Sequence, residues 1–370
     1  MDNPFKNLLK KTEESVLGID IGTSAIKVVQ LRNKKGRAVL ETYGELSLGP
    51  YAGLSIGQVT NLPPEKLSEA ITDVLKEANT STTNAGISIP FRSSLVTLME
   101  LPPVSSKKLD EMIPLEARKY IPVPISEVTL DWWVIPKESN IEIDDESKPE
   151  EEKHKTDVLV VSIHNEVLNS YNSIVKSANL NASFFEIEMF SAARSLLDQE
   201  PTASMIFDMG ASSTKVYLVD HGVIKNSHII NKGSQDITQS ISKGMNLPVA
   251  RAEHIKRNLG DNTLKPEDQK GITEMISLTL DYIFSEANSV LLSFQKKYQK
   301  TVGKVILTGG GVAMQGFYEL AKANFQTEVV VGEPFAKVEA PAFLEEVLKA
   351  TGLEFAVAVG IALRKLQEIE

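Results

Sequence analysis

One short turn occurs twice in this chain, and any fold must find a place for both copies. The first reads Leu17-Gly18-Ile19-Asp20-Ile21-Gly22-Thr23-Ser24-Ala25-Ile26-Lys27. The second reads Met205-Ile206-Phe207-Asp208-Met209-Gly210-Ala211-Ser212-Ser213-Thr214-Lys215. Each is an apolar strand ending in Asp-x-Gly, small hydroxyl residues, and a second strand with Lys seven places after the Asp. Repetition implies two related halves, and two facing halves enclose a cleft.

The residue types suit a phosphate. Gly22 and Gly210 allow a tight strand-to-strand turn with room for an anion. Backbone N–H groups around Thr23 and Ser24, and from Ala211 to Ser213, can form anion-holding nests. Thr23, Ser24, Ser212 and Ser213 add hydroxyl donors. Asp20 and Asp208 end their strands at the turns, where they can hold a hydrated Mg2+ through its waters. Lys27 and Lys215 supply compact positive charge. One such turn is usually a plain hairpin, because turn chemistry alone selects these residues. Two with the same Asp-to-Lys spacing argue for a shared ligand, and a nucleotide between the halves is expected. A third segment supports it: Lys304-Val305-Ile306-Leu307-Thr308-Gly309-Gly310-Gly311-Val312-Ala313-Met314, then Phe317-Tyr318-Glu319-Leu320-Ala321. It predicts a buried strand, a glycine loop and a helix, with backbone able to approach a base or an α-phosphate.

Together these segments resemble the actin-like ATPase superfamily. The resemblance implies an α/β fold of two duplicated RNase H-like halves around a cleft that binds ATP with Mg2+. Two further stretches are similar to the cell-division protein FtsA. Ile230-Asn231-Lys232-Gly233-Ser234-Gln235-Asp236-Ile237-Thr238 matches its glycine segment, with Ser234 in place of a second glycine. Ala250-Arg251-Ala252-Glu253-His254-Ile255-Lys256-Arg257 matches the helix whose Glu and Lys reach ribose and base. The implied nucleotide contacts are Gly22, Thr23, Ser24, Lys27, Gly210, Ala211, Ser212, Ser213, Lys215, Gly233, Glu253, Lys256, Arg257, Gly309, Gly310, Gly311 and Met314, with Asp20 and Asp208 on the metal.

Within the superfamily the chain resembles the PilM family of type IV pilus assembly proteins. The most specific stretch is Ile87-Ser88-Ile89-Pro90-Phe91-Arg92-Ser93-Ser94, continuing through Leu98-Met99-Glu100-Leu101-Pro102 and Glu116-Ala117-Arg118-Lys119-Tyr120-Ile121-Pro122. The family implies a cytoplasmic protein docked at the inner membrane through the short N-terminal cytoplasmic tail of a PilN-like single-span protein. Contacts to the pilus motor ATPase and platform proteins, and self-association, would extend that role.

Composition narrows the alternatives. A chain of 370 residues exceeds one compact core. With no cysteine, disulfides and thiolate metal sites are excluded. A net charge of −10 argues against a general nucleic-acid binder. No apolar run reaches the ~18 residues of a membrane span, and no signal peptide is evident at the polar, lysine-interrupted start.

Along the chain, residues 1–15 read as a tail with Phe5, Leu8 and Leu9 on one side of a short helix. Residues 16–88, 179–203 and 353–370 are assigned to a first subdomain, 1A. Residues 89–178 form an insertion of β-α-β-β-α order, similar to the FtsA-type 1C (SHS2-like) α+β unit. Its stretch 137–156 is polar and acidic and reads as a loop between strands. Residues 204–240 and 301–352 make subdomain 2A, and 241–300 a mainly helical 2B. In 2B, Leu278, Ile283, Ala287, Val290, Leu291 and Phe294 are expected to share a core-facing stripe. Phe355 to Leu363 reads as a small-residue helix that packs closely at a hinge, with Ser191-Ala192-Ala193 opposite. The chain ends soon after Arg364, so FtsA's C-terminal amphipathic membrane helix is not expected.

Hydrolysis needs a group that orients water. Glu186 and Glu188 are the candidates, and Glu188 aligns better. Binding is therefore better supported than turnover, and an ATP-binding scaffold leads. An FtsA-like polymerising adaptor and a sugar-kinase-type enzyme are the alternatives.

Overall fold

The computed structural model describes residues 14–102, 106–135, 155–198, 202–258 and 266–368. The amphipathic start of the tail and most of the acidic stretch 137–156 lie outside them.

The first half begins with β1 (Ser15–Ile21), β2 (Ala25–Lys34) and β3 (Arg37–Ser47), joined by tight turns and antiparallel. Helix α1 (Pro64–Glu77) follows, with Pro64 where its missing N–H costs nothing and Ala70, Ile71 and Val74 buried. It returns the chain to β4 (Asn84–Ile89), which lies parallel to β1. A helix between strands is what allows that parallel return. The sheet is completed by β8 (Asn181–Ile187), giving the order β3-β2-β1-β4-β8.

The second half repeats this plan. Strands β9 (Ala203–Met209), β10 (Thr214–Asp220), β11 (Val223–Ile230), β12 (Val302–Thr308) and β13 (Glu328–Val331) are ordered β11-β10-β9-β12-β13. Strand for strand, the two sheets share one topology, so the duplication expected from the turns extends to each whole half.

The insertion stands between β4 and β8. A single 3-10 turn, Phe91–Ser93, leads into β5 (Ser94–Leu101). Helix α2 (Ser106–Ala117) runs through Pro114, then come β6 (Val128–Val134), β7 (Thr156–His164) and α3 (Asn165–Ser177). The three strands form an antiparallel sheet ordered β5-β7-β6. Leu109, Ile113 and Ala117 of α2 join Met99, Leu101, Val158 and Val160 in its core. Helix α3 turns back to the first half, where Ile174 and Val175 pack with Ala70, Ile71 and Val74.

Helix α4 (Glu188–Leu196) leads from β8 toward the second half, which carries α5 (Ser234–Gly244), α6 (Val249–Arg257) and α7 (Pro266–Tyr298). The α7 stripe differs from expectation at one position. Ile276, Leu280, Ile283, Phe284, Ala287, Leu291 and Phe294 are buried, but Leu278 is 73% exposed. At about 100° per residue, position 278 lies roughly 140° around the helix from 283, so it cannot share that face. Leu278 instead borders a surface hollow of about 230 Å3 with Met275, Thr279 and Tyr282.

After α8 (Phe317–Asn324) and α9 (Glu345–Thr351), the helix α10 (Ala356–Gln367) returns to the first half. Ala358, Val359 and Ala362 pack with Val16, Val29 and Leu31. The contact is backbone against backbone. A Cβ on Gly18 would lie 1.9 Å from the Ala358 carbonyl oxygen, and one on Gly360 would lie 1.8 Å from that of Ser191. The close packing expected of this helix and Ser191 is observed.

Candidate functional site

The two turns are built alike. Gly22 N–H donates to the Ala25 carbonyl at 3.0 Å, and Gly210 N–H donates to Ser213 at 3.0 Å. Across each hairpin, Asp20 stands opposite Lys27 and Asp208 opposite Lys215. The seven-residue spacing is thus the register of the hairpin itself. The tips meet: the Thr23 hydroxyl donates to Ser212 Oγ at 3.2 Å.

Beneath the tips, three carboxylates from different elements act on one another. Asp20 Oδ1 accepts from the Ser88 hydroxyl at 2.8 Å. Burial pushes its carboxyl above the usual range; Lys27 pulls it back and Glu188 pushes it further up. Asp208 is raised for the same reason, with Lys215 opposing and Glu188 and Asp20 adding. Raised carboxylates mark a place where a cation would relieve repulsion. Among the described residues, no group of three or more His, Cys, Asp or Glu is set closely enough to hold a metal directly. An ion here would be bound largely through water, as Mg2+ commonly is.

Both lysines already have anionic neighbours. Lys215 Nζ is 2.5 Å from Glu188 Oε2 and 3.5 Å from Asp208 Oδ2. Lys27 Nζ is 3.5 Å from Glu45 and 3.6 Å from Glu354. Burial alone would lower each ammonium, but these carboxylates reverse that and hold it charged. A phosphate arriving at the turns would compete with Glu188 and Glu354 for them.

The two glutamates singled out for water activation separate. Glu188 opens α4 at the base of the cleft; Oε2 meets Lys215 and Oε1 accepts from Phe91 N–H at 2.7 Å. Glu186 has a different setting. Arg194 Nη1 and Nη2 donate to it at 2.6 and 2.8 Å, Arg364 of α10 donates at 2.8 Å, and the Ser191 hydroxyl also donates. Burial opposes its charge, but Arg194, Ser191 and Arg364 together hold the carboxyl below the usual range. Glu186 ties α10 to α4 and is a structural anchor.

On the side expected to face ribose and base, Glu253 takes three partners. The Thr238 hydroxyl donates at 2.6 Å, with Lys256 Nζ at 2.7 Å and Arg257 Nε at 2.8 Å. Burial resists the Glu253 charge, yet Lys256, Thr238 and Arg257 outweigh it and lower the carboxyl. Lys256 is also lowered, because its own burial outweighs the attraction of Glu253, which it shares with Arg257. The loop ahead of α1 reaches this region: Val59 N–H donates to Gln235 Oε1 at 2.5 Å, and Gly57 lies beside Glu253.

The glycine loop closes the third wall. Gly309 has φ +90, and a Cβ there would lie 2.4 Å from Asp208 Oδ1, so a side chain is excluded twice over. Gly311 N–H donates to Met209 at 2.8 Å and Gly309 N–H to Leu353 at 3.0 Å. Gly310 faces Glu354. Gly233 lies against the Ala211–Ser213 backbone, and its N–H donates to Asp236. The Met314 side chain at the end of this loop is 5% exposed and packs into the core of the second half. Ser24 supports the turn through its carbonyl, which accepts from Leu48. Ser88, Glu45, Glu354, Phe91 and Gln235 were not signalled by the motifs. Ser88 and Phe91 lie inside the family-like stretch and Gln235 inside the FtsA-like glycine segment, while Glu45 and Glu354 reach the site from elements that carried no cue.

The sequence profile described as type IV pilus assembly protein PilM matches residues 18–366. The chain belongs to the PilM family. Among solved structures, a PilM-PilN type IV pilus biogenesis complex shares its fold at TM-score 0.78 and 24% identity, covering 95% of this chain and 98% of that one. MreB5 of Spiroplasma citri bound to ADP is similar at TM-score 0.53 and 10% identity, covering 96% and 97%. The PilM-family fold is thus that of the actin-like ATPases. Among sequences, FtsA of Neisseria meningitidis is 23% identical over 88% of this chain and 85% of its own length. FtsA of Bacillus subtilis is 22% identical over 87% and 79%.

Proposed function

We propose that this PilM-family chain is a nucleotide-dependent scaffold of the type IV pilus assembly platform. Mg-ATP would lie between the turns. Asp20 and Asp208 would hold the ion's waters, Lys27, Lys215 and the turn amides the phosphates, and Glu253, Lys256, Arg257 and the glycine loop the nucleoside. One observation carries this reading: two copies of one phosphate turn meet tip to tip over three mutually repelling carboxylates. Structures of MreB5, of similar fold and bound to ADP and to AMPPNP, support it.

Turnover is expected to be slow. Glu188, the better-aligned candidate, is tethered to Phe91 N–H through Oε1 and paired with Lys215 through Oε2, which restricts how it can hold an attacking water. The nucleotide then acts by favouring one arrangement of the halves. Among the described residues, no helix is long and apolar enough to cross a membrane. Location at the inner-membrane face would come from a PilN-like partner, whose N-terminal cytoplasmic tail would dock between subdomain 1A and the insertion. The likeness to a PilM-PilN complex supports this, as does an insertion the cleft itself does not need.

Thermal melts with and without Mg-ATP test the cleft. At ~100–1,000 times its dissociation constant, ligand should add about 2.7–4.1 kcal/mol. No shift, together with no heat of ATP binding, would sink the reading. Calorimetry with a synthetic tail peptide tests docking, and equal binding after removal of residues 94–164 would place the peptide elsewhere.

A further inference from the structure

Glu188 sits where the cleft, the second half and the insertion meet. One carboxylate oxygen holds Lys215 of β10 at 2.5 Å. The other accepts from Phe91 N–H at 2.7 Å, in the single turn that launches β5. The Phe91 ring meets Tyr217 edge-on, with centroids 6.0 Å apart. The next residue, Arg92, donates to Asn231 Oδ1 of the second half at 2.9 Å. Tyr217 is fully buried, and its hydroxyl has no hydrogen-bond partner among the described residues. Of the carboxylates acting on that hydroxyl, Glu188 acts most strongly, ahead of Asp208 and Asp20. A buried donor left unmade is costly, so an arrangement that satisfies it is favoured.

We propose that Glu188 is a two-position joint that reports phosphate at Lys215 to the inserted unit; this rests on the nucleotide reading of the cleft. In one position its carboxylate pairs with Lys215 and holds Phe91. When a nucleoside triphosphate takes the Lys215 ammonium, the released oxygen accepts from the Tyr217 hydroxyl instead. Phe91 is bonded to Glu188 and packed on Tyr217, so the exchange re-seats the turn from which β5 starts. No atom is transferred; one ion pair is exchanged for another and one buried hydroxyl gains an acceptor. Two discrete arrangements, each favoured by a different ligand state, are what coupling between sites requires.

Hydrogen exchange of the full chain, followed at residues 91–101 with and without Mg-ATP, tests the joint. In the wild type, exchange there should change by about fivefold or more, the lower end of ordinary coupling between sites. Tyr217→Phe keeps the ring and removes only the unpaired hydroxyl. It should fold, bind ATP somewhat less tightly because the ligand-bound arrangement loses the hydrogen bond it gains, and lose most of the response at 91–101. Glu188→Gln keeps a carbonyl for Phe91 but no charge for Lys215; it should bind ATP more tightly and also lose the response. ATP binding with no change at 91–101, or a full response in both variants, overturns the joint and leaves the cleft reading standing. Loss of ATP binding in Tyr217→Phe also overturns it, since the hydroxyl would then serve the ligand directly. If wild type binds no ATP, the cleft reading falls and the joint with it.

Discussion

Asp208 and Glu186 are both buried carboxylates with cationic neighbours, and they respond to pH in opposite senses. Asp208 is pushed up by burial, with Lys215 at 3.5 Å recovering only part. Its neutral form is favoured in the fold, so stability is greatest below the usual carboxylate range and falls as pH rises through the raised value. Asp208→Asn should therefore raise the melting temperature of the ligand-free protein while shrinking the gain from Mg-ATP. Melts of both forms with and without ligand check this; an unchanged gain would remove Asp208 from the metal. Glu186 is held low by Arg194, Ser191 and Arg364 against the opposing effect of burial. Its contribution is present above the usual carboxylate value, near 4.3, and is lost as pH falls through the lowered folded one. Glu186→Gln should cost roughly 2 kcal/mol at pH 7, below the 3–5 kcal/mol of a fully buried pair because both arginines are part-exposed. Denaturant midpoints at pH 7 and pH 3 check it, and the difference between variant and wild type should narrow at the lower pH. The sequence offered both glutamates as candidates, with Glu188 aligning better, and their separation follows from where β8 gives way to α4. Glu186 is on the strand, facing α10, and Glu188 is on the first turn of the helix, facing the cleft.

Among elements, α10 and α7 show how differently a helical glycine can behave. Gly360 of α10 meets the Ser191 backbone, and Gly271 of α7 has nothing within 4 Å of where its Cβ would stand. Alanine gains about 0.5–1 kcal/mol over glycine in a helix interior. Gly271→Ala should show that gain. Gly360→Ala should lose more than it gains, since overpacking costs about 1–3 kcal/mol and backbone cannot swing aside. Urea unfolding of the two variants beside wild type checks both signs, and a stabilised Gly360→Ala would mean that α10 moves freely. The elements were largely legible: hairpins with seven-residue Asp–Lys spacing and the small-residue helix near the end are local patterns. The α7 stripe was read correctly except at Leu278, where an apolar residue lies off the helical period. Long-range partners were not legible. Nothing near Lys27 in the sequence announces Glu354, which reaches it only because the chain returns after α9.

At the scale of the molecule, two sheets of one topology share a cleft whose rims touch at few polar points: Thr23 with Ser212, Val59 with Gln235, and Arg92 with Asn231. Phosphate between the turns must part the first of these. The chain contains no cysteine, so a pair of labels can be placed without background. Spin labels at exposed Glu69→Cys and Lys243→Cys, one on each half, should show a changed distance distribution when Mg-ATP is added. An identical distribution would make the halves rigid with respect to each other. The duplicated turn made this two-halved plan readable from the start, because a repeated pattern survives where single contacts do not.

The bare-backbone contact of Gly18 with Ala358 also sets an order of events during synthesis. Strand β1 leaves the ribosome well before residues 356–367, to which part of the surface it must lie against belongs. Until they emerge, Val16, Val29 and Leu31 lack the Ala358, Val359 and Ala362 part of their cover, while the second sheet, from 203 to 331, already has all of its strands. The half made first is therefore finished last. An arrest of translation before residue 356 would leave an exposed apolar sheet in the nascent chain, a natural substrate for chaperones and proteases.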